Sequence, residues 1–128
     1  MISAMKPGVP KSRLDCLNGS FLDIYVDNID PREYYIIGCD TAESLQGAFC
    51  AIQIYSFKDF KQVAELQAKF GSYTVYGQTI DKVFKWLYSQ VGERIILSIE
   101  NNTIFTSSFI QQCISNNFVN CWNVLRAL

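Results

Sequence analysis

Apolar runs separated by short polar turns fill the first half of the chain, and this pattern predicts β-strands. Residues 34–40 and 49–57 are rich in strand-forming side chains, and residues 21–26 form a shorter run of the same kind. Both alternating sets of residues 49–57 are mostly apolar, which predicts a central strand covered on both faces. Residues 61–70 predict a further strand, although their good helix formers leave a helix as the alternative.

The periodicity changes in the second half of the chain, where helices alternate with strands. Residues 75–91 carry apolar side chains at helical spacing, which predicts an amphipathic helix. These side chains are Ile80, Val83, Phe84, Leu87 and Val91. Residues 94–100 then predict a short, buried parallel strand. A second helix is predicted over residues 103–116, and a last strand over residues 119–125.

The order of these elements predicts an α/β fold built on a mixed sheet with flanking helices. Three consecutive strands joined by short turns form an antiparallel meander, and the later strand–helix–strand steps require parallel crossovers. The chain has 128 residues, which suffices for one domain. We assign residues 31–128 to that domain. Residues 1–20 contain two of the three prolines and little apolar pattern, and residues 1–30 are assigned to a linker or partial N-terminal extension.

Composition narrows the classes of function. The hydrophobic fraction of 49% is that of a globular protein, and a net charge of −1 provides no broad basic field for nucleic acid. The five cysteines show no CxxC spacing and the chain has no histidine, so a zinc site is not supported. Scattered cysteines in odd number predict reduced thiols in a cytoplasmic protein. No apolar run is long enough to cross a membrane, so no membrane partner is expected.

Two acidic residues stand at the ends of two apolar runs. The stretch YYIIGCD ends on Asp40, and sixty residues later the stretch RIILSIE ends on Glu100. Functional groups in open α/β sheets collect just beyond the carboxyl ends of strands. If the two strands are parallel neighbours, their carboxylates lie close together, and Mg²⁺ or Mn²⁺ is the natural partner. Asn101 and Asn102 could add amide oxygens, whereas each acid alone is also typical of a turn or cap.

Taken together, these motifs resemble the nuclease domain of the large terminase subunit of tailed bacteriophages, a family with an RNase H-like fold. The family's first motif is an apolar strand ending in Gly-x-Asp, followed by a small residue and often Glu, and GCDTAE places Asp40 and Glu43 at the two acidic positions. The second motif is an apolar strand ending in Glu-Asn, as in the sequence ENN that begins at Glu100. The resemblance covers residues 34–117.

The resemblance implies metal-dependent endonucleolytic cleavage of concatemeric double-stranded DNA during genome packaging in the cytoplasm of a bacterial host. It implies a site for two Mg²⁺ or Mn²⁺ ions, in which Asp40 bridges the ions and Glu100 binds one of them. Glu43, Asn101 and Asn102 are the accessory groups. The partners that it implies are the terminase ATPase domain, the small terminase subunit and the portal.

The chain also departs from this family. No Asp or Glu follows Glu100, so the family's third acid is missing, and the chain has no GxxxxGK[ST] phosphate-binding loop. We therefore expect a nuclease domain that is incomplete at its C-terminus. Its activity should be weak or absent, because fewer charged ligands weaken metal binding. Two alternatives stay open: a non-catalytic RNase H-like remnant that binds a partner, and another RNase H-like nuclease such as a resolvase.

Overall fold

The computed structural model describes residues 8–40, 49–70 and 72–99 of the chain. Within these residues, six strands and one long helix follow one another, and a short 3₁₀ turn links the first two strands. The elements are β1 (Ser12–Asp15), β2 (Phe21–Ile24), β3 (Tyr35–Asp40), β4 (Phe49–Ser56), β5 (Gln62–Lys69), α1 (Tyr73–Val91) and β6 (Ile95–Ile99).

The described strands form one mixed sheet in the order β1-β2-β5-β4-β3-β6. Strands β3, β4 and β5 make an antiparallel meander, and β6 lies parallel to β3 on its other side. A parallel step needs a crossover, and α1 provides it between β5 and β6. The prediction of an α/β protein with a mixed sheet is therefore confirmed, as are the strands predicted at residues 34–40 and 94–100.

Helix α1 covers one face of the sheet, and the hydrophobic core lies between the two. Alternate side chains of the central strands point into this core, where Ile37, Ile52 and Leu97 are fully shielded from water. The predicted apolar stripe of the helix packs against them. Its buried members include Ile80, Val83, Phe84 and Leu87.

The limits of α1 follow from the residues at its two ends. The hydroxyl of Ser72 accepts a hydrogen bond from the backbone N–H of Val75 at 3.2 Å, as expected of a residue that caps a helix N-terminus. Gly92 ends the helix with a φ of +63°, in the left-handed region that favours glycine. The helix predicted over residues 75–91 is confirmed and begins two residues earlier.

The face of the sheet opposite α1 is only half-covered, which corrects one expectation. The pattern of residues 49–57 predicts a central strand covered on both faces. Strand β4 is central, but Gln53 and Tyr55 stay half-exposed while the residues that alternate with them are buried. Strand β6 behaves alike, since Leu97 is buried and Ile96 is 37% exposed. A strand with apolar residues at both alternating sets of positions can therefore have one buried face and one partly exposed face.

Strand β5 settles the ambiguous segment at residues 61–70. The strand prediction is confirmed, and the helix alternative is wrong. Strand β5 pairs along most of its length with β4, and it also pairs with β2 on its other side. Backbone pairing with these neighbours outweighs helix propensities, which differ by roughly a few tenths of a kcal/mol per residue.

The strand predicted at residues 21–26 is confirmed as β2, and β1 pairs with it in a hairpin that the sequence pattern does not predict. The sequence pattern predicts a linker or partial extension over residues 1–30, but within that range the hairpin extends the sheet beyond β5. Leu22 and Ile24 belong to the core, so the hairpin packs with the rest of the domain. The sequence SRLD of β1 has no alternating pattern, and its partners are set by tertiary pairing. The elements predicted over residues 103–116 and 119–125 lie outside the described residues.

Candidate functional site

The carboxyl ends of β3 and β6 meet at one edge of the sheet. The two strands are direct neighbours and run parallel in a constant register, whose last pair within the described residues is Cys39–Ile99. Asp40 is the next residue of β3, and Glu100 follows Ile99 in the sequence. Strands β3 and β6 are therefore parallel neighbours, which is the arrangement that a site shared by Asp40 and Glu100 requires.

Asp40 is the predicted site residue that the structure describes. Its side chain is exposed, and it lies on the face opposite α1 because Ile37 and Cys39 point into the core. No ion pair to its carboxylate occurs within residues 8–40, 49–70 and 72–99. An exposed carboxylate at a strand end, without a cationic partner in that part of the chain, is a suitable ligand for a hard metal ion.

The other predicted site residues lie outside the described ranges, and their roles stay predictions. They are Glu43, Glu100, Asn101 and Asn102. Within the described ranges, no three Asp, Glu or Cys side chains come together as a metal-binding group. A site with three protein ligands at Asp40 therefore needs side chains from beyond those ranges.

The sheet face that carries Asp40 also carries a polar row. Gln53 is paired with Gly38 in β3 and with Glu65 in β5, so the three positions share this face. The hydroxyl of Tyr55 donates a hydrogen bond to Oε1 of Gln53 at 2.6 Å. Burial raises the pKa of Tyr55, and the negative charges of Glu65 and Asp40 raise it further. The electrostatic environment beside Asp40 is thus negative, which suits a cation.

The cysteine next to Asp40 is a core residue. Cys39 points away from the exposed face, and burial raises the pKa of its thiol well above the usual range, with a further contribution from Asp40. A neutral thiol is neither a nucleophile nor a metal ligand. Cys16 and Cys39 are free thiols, whereas Cys113 and Cys121 lie outside the described residues.

Lysines lie at both ends of the meander, and only one of them is near Asp40. Strand β5 runs parallel to β3, so its last residue, Lys69, lies at the same edge of the sheet as Asp40. Lys69 is exposed, and two strand spacings, about 10 Å, separate β5 from β3. Lys58 and Lys61 lie at the opposite edge, in and beside the turn between β4 and β5.

Tyr76 of α1 reaches the end of β3 from the core side. Its hydroxyl oxygen lies 3.0 Å from the carbonyl oxygen of Asp40 and 2.8 Å from that of Ala51, the residue paired with Asp40. The sequence reasoning missed this residue. The available signal was its place on the apolar helix face, one turn before Ile80, because a buried tyrosine usually needs a hydrogen-bond partner.

Comparison with known proteins leaves the class of this chain open. No protein-family model matches the chain, and no curated protein matches it. In the part of the chain that the structure describes, no helix is both long and apolar enough to span a membrane. The functional assignment therefore depends on the geometry at Asp40 and on the sequence motifs.

Proposed function

We propose that this chain is a metal-dependent DNA endonuclease domain of the RNase H-like class, similar to the nuclease domain of large terminase subunits. The observation that carries the proposal is the parallel pairing of β3 with β6, with exposed Asp40 at its carboxyl end. Continuing that register by one residue would bring Glu100 beside Asp40, on backbones about 5 Å apart. Two carboxylates this close repel each other, and a divalent cation relieves the repulsion.

The arrangement of the sheet supports the finer fold class. The part of the sheet in the order β5-β4-β3-β6 is an antiparallel meander followed by a parallel strand that is reached through a helix. This is the arrangement that the RNase H-like resemblance implies. The β1–β2 hairpin pairs with β5, on the side of the sheet away from β3 and β6. The strands of the hairpin therefore do not cover the carboxyl ends of β3 and β6.

In this proposal, the chain's own oxygen ligands hold the metal. Asp40 and Glu100 bind Mg²⁺ or Mn²⁺, and Glu43, Asn101 and Asn102 are accessory groups. An all-oxygen donor set suits these hard cations. Such ions, when bound in a pair, supply an activated water and stabilise the leaving oxygen of the phosphodiester. The alternation of side chains along β3 places the carboxylate of Asp40 on the solvent-exposed face of the sheet and not in the core.

The proposed substrate is double-stranded DNA, approached through its backbone. The chain has a net charge of −1, so binding depends on local contacts. Lys69 lies at the same edge as Asp40 and provides a positive charge for a neighbouring phosphate. By resemblance, the wider partners are the terminase ATPase domain, the small terminase subunit and the portal, and the site of action is the bacterial cytoplasm.

The proposed activity is weak or absent in this chain. No acidic residue follows Glu100, so the third carboxylate of the family's site has no counterpart in the sequence. A site with fewer charged ligands binds a divalent cation less tightly. Metal binding is therefore a more sensitive test of the proposal than DNA cleavage.

The test is a calorimetric titration of Mn²⁺ into the wild-type chain and into a double variant with Asp40→Ala and Glu100→Ala. We expect binding by the wild type and none by the double variant. Asp59→Ala is the matched control, because Asp59 is an exposed acid in the turn at the opposite edge of the sheet. This control should bind Mn²⁺ like the wild type, and a parallel assay on supercoiled plasmid should show weak, Mn²⁺-dependent nicking or none.

Three outcomes would change the proposal. A folded wild type that binds no Mn²⁺ would contradict it and favour the non-catalytic alternative, in which the domain only binds a partner. Cleavage at the rate of a complete nuclease would contradict the claim of weak activity. Cleavage restricted to four-way junctions would favour a resolvase.

A further inference from the structure

A polar contact joins Tyr76 of α1 to the end of β3 beside the candidate site. Tyr76 is fully buried, and its ring contacts Phe70 with a distance of 4.9 Å between ring centroids. Its hydroxyl meets two backbone carbonyl oxygens, those of Asp40 and Ala51. The aromatic ring therefore brings one polar atom through the core to the residue that carries the candidate metal ligand.

The position of this contact along the strand matters. Among the described residues, Asp40 and Ala51 are the last pair of the β3–β4 ladder on the Asp40 side. The hydroxyl of Tyr76 lies within hydrogen-bond distance of the carbonyl oxygens of both residues, so a side chain from α1 helps to fix the backbone of Asp40.

The contact also separates the two sides of Asp40. The hydroxyl of Tyr76 approaches from α1, whereas the carboxylate of Asp40 lies on the exposed face, opposite the helix. The backbone can therefore be held from the core while the carboxylate stays open to a cation and to DNA. A supporting contact of this kind limits the displacement of a metal ligand, and displacements of about 1 Å are costly in active sites.

We propose that Tyr76 is a positioning residue, which sets the backbone of Asp40 so that its carboxylate is presented to a divalent cation. The inference rests on the proposed metal site at Asp40 and adds to it a residue from the opposite side of the sheet. Tyr76 acts through the Asp40 carbonyl and does not touch the cation. Its removal should therefore weaken metal binding without abolishing it.

The experiment compares two buried tyrosines, Tyr76 of α1 and Tyr35 of β3. Tyr76→Phe removes the hydroxyl and keeps the ring in the core. Tyr35→Phe is the matched control, because Tyr35 is also buried, begins β3 and accepts a hydrogen bond from the backbone N–H of Asp30 at 3.0 Å. Both variants lose one buried hydroxyl, at opposite ends of the same strand. Mn²⁺ affinity is measured by calorimetry and folding by thermal unfolding, and Asp40→Ala defines the loss of the site.

We expect Tyr76→Phe to weaken Mn²⁺ binding by about tenfold, the lower end of the effect of removing a group that supports a metal ligand. Tyr35→Phe should bind within about twofold of the wild type, even if it loses as much thermal stability. Equal Mn²⁺ affinities for the two variants would overturn the inference and leave the metal site in place, provided that Asp40→Ala removes binding. A folded wild type that does not bind Mn²⁺ would instead remove the proposed function, and the inference with it.

A second measurement applies if Tyr76→Phe does not fold. The wild-type chain is labelled with ¹³C at the hydroxyl-bearing ring carbon of tyrosine, and Mn²⁺ is added in substoichiometric amounts. Paramagnetic broadening should be strong for Tyr76, which lies next to the Asp40 backbone, and weak for Tyr35 at the far end of β3. Stronger broadening of Tyr35 than of Tyr76 would contradict the placement of the cation that the inference requires.

Discussion

The two faces of the sheet differ in almost every property that matters for function. The face toward α1 is buried and apolar, and Ile37 of β3 is completely shielded there. The opposite face keeps its side chains half-exposed or exposed, with Ile36 and Asp40 on the same strand and Gln53 and Glu65 beside them. The same strand β3 therefore stabilises the domain through one set of residues and presents chemistry through the other.

This difference shows how a short strand can serve both purposes. Side chains on a strand alternate between faces, so every second residue of β3 is available for packing and the others are released from it. Asp40 is thus a functional candidate because it lies on the exposed face of β3 as well as at the strand end. Changes on the α1 face should affect folding, and changes on the open face should affect electrostatics and binding.

The largest expected effect separates the two isoleucines of β3. Ile37→Ala should lower the free energy of unfolding by about 3 kcal/mol, because it deletes a fully buried side chain from a packed core. Ile36→Ala should cost about 1 kcal/mol or less, since Ile36 is half-exposed on the other face. Urea denaturation of the two variants measures the difference. Equal losses would show that the open face is packed as tightly as the core.

A smaller effect is expected at the edge that carries Asp40. Lys69→Gln should weaken DNA binding and reduce the slope of log affinity against log salt concentration by about one, because one phosphate contact is lost. Lys58→Gln should leave the slope unchanged, since Lys58 lies at the opposite edge of the sheet. Fluorescence anisotropy with duplex DNA at several salt concentrations measures both. Identical slopes for the two variants would contradict the proposal that DNA contacts the edge of the sheet that carries Asp40 and Lys69.

A pH-dependent effect separates a partly buried acid from an exposed one. Burial raises the pKa of Asp81 on α1, although Lys85, 3.3 Å away, lowers it in part. The folded state therefore binds the proton more tightly than the unfolded state, and stability is lost as the pH rises through the raised pKa. Relative to the wild type, Asp81→Asn should thus be more stable at pH 7 than at pH 3.

The control for this effect has the opposite sign. A hydrogen bond from the backbone N–H of Lys61 lowers the pKa of Asp59, so this acid contributes stability above its usual pKa and loses it on acidification. Relative to the wild type, the Asp59→Asn variant should therefore be less stable at pH 7 than at pH 3. Denaturation curves over this pH range measure both variants. The same sign for Asp81 and Asp59 would contradict the assignment of the buried and exposed environments.

The smallest expected effect concerns the electrostatics of the open face. Glu65→Gln should lower the pKa of both Tyr55 and Tyr25, because the charge of Glu65 raises both, although burial is the larger cause in each. Asp23→Asn should lower the pKa of Tyr25 and leave that of Tyr55 unchanged. Ring-carbon chemical shifts in a pH titration resolve the two tyrosines. An unchanged pKa of Tyr55 in the Glu65→Gln variant would show that the charge of Glu65 does not affect Tyr55.

Sequence patterns predict much of the described fold because its central elements obey local rules. The runs at residues 34–40 and 94–100 and the helical stripe around Phe84 each carry a clear period, and each forms the expected element. Strand β5 is ambiguous in sequence because its residues favour a helix locally, and only pairing with β4 and β2 decides its state. Strand β1 is polar and short, so its place in the sheet depends wholly on its partner β2.

The candidate site shows the same division between local and tertiary information. Asp40 could be selected from the sequence because a carboxylate that ends an apolar strand stands out locally, and the structure places it on an exposed strand end. The place of Tyr76 on the apolar helix face indicates a buried tyrosine, but its partners could not be predicted, because its hydrogen bonds join residues that lie far apart in the chain. The parallel register of β3 and β6 is likewise a tertiary feature, and it is the one on which a shared metal site depends.

The most direct test of the account asks whether Asp40 and Glu100 act on one cation. Mn²⁺ affinity is measured by calorimetry for four folded proteins: the wild type, Asp40→Ala, Glu100→Ala and the double variant. If the two acids share a site, each single variant should lose nearly as much affinity as the double variant, since the effects of groups that act together are not additive. Wild-type affinity in either single variant would contradict the shared site at the ends of β3 and β6.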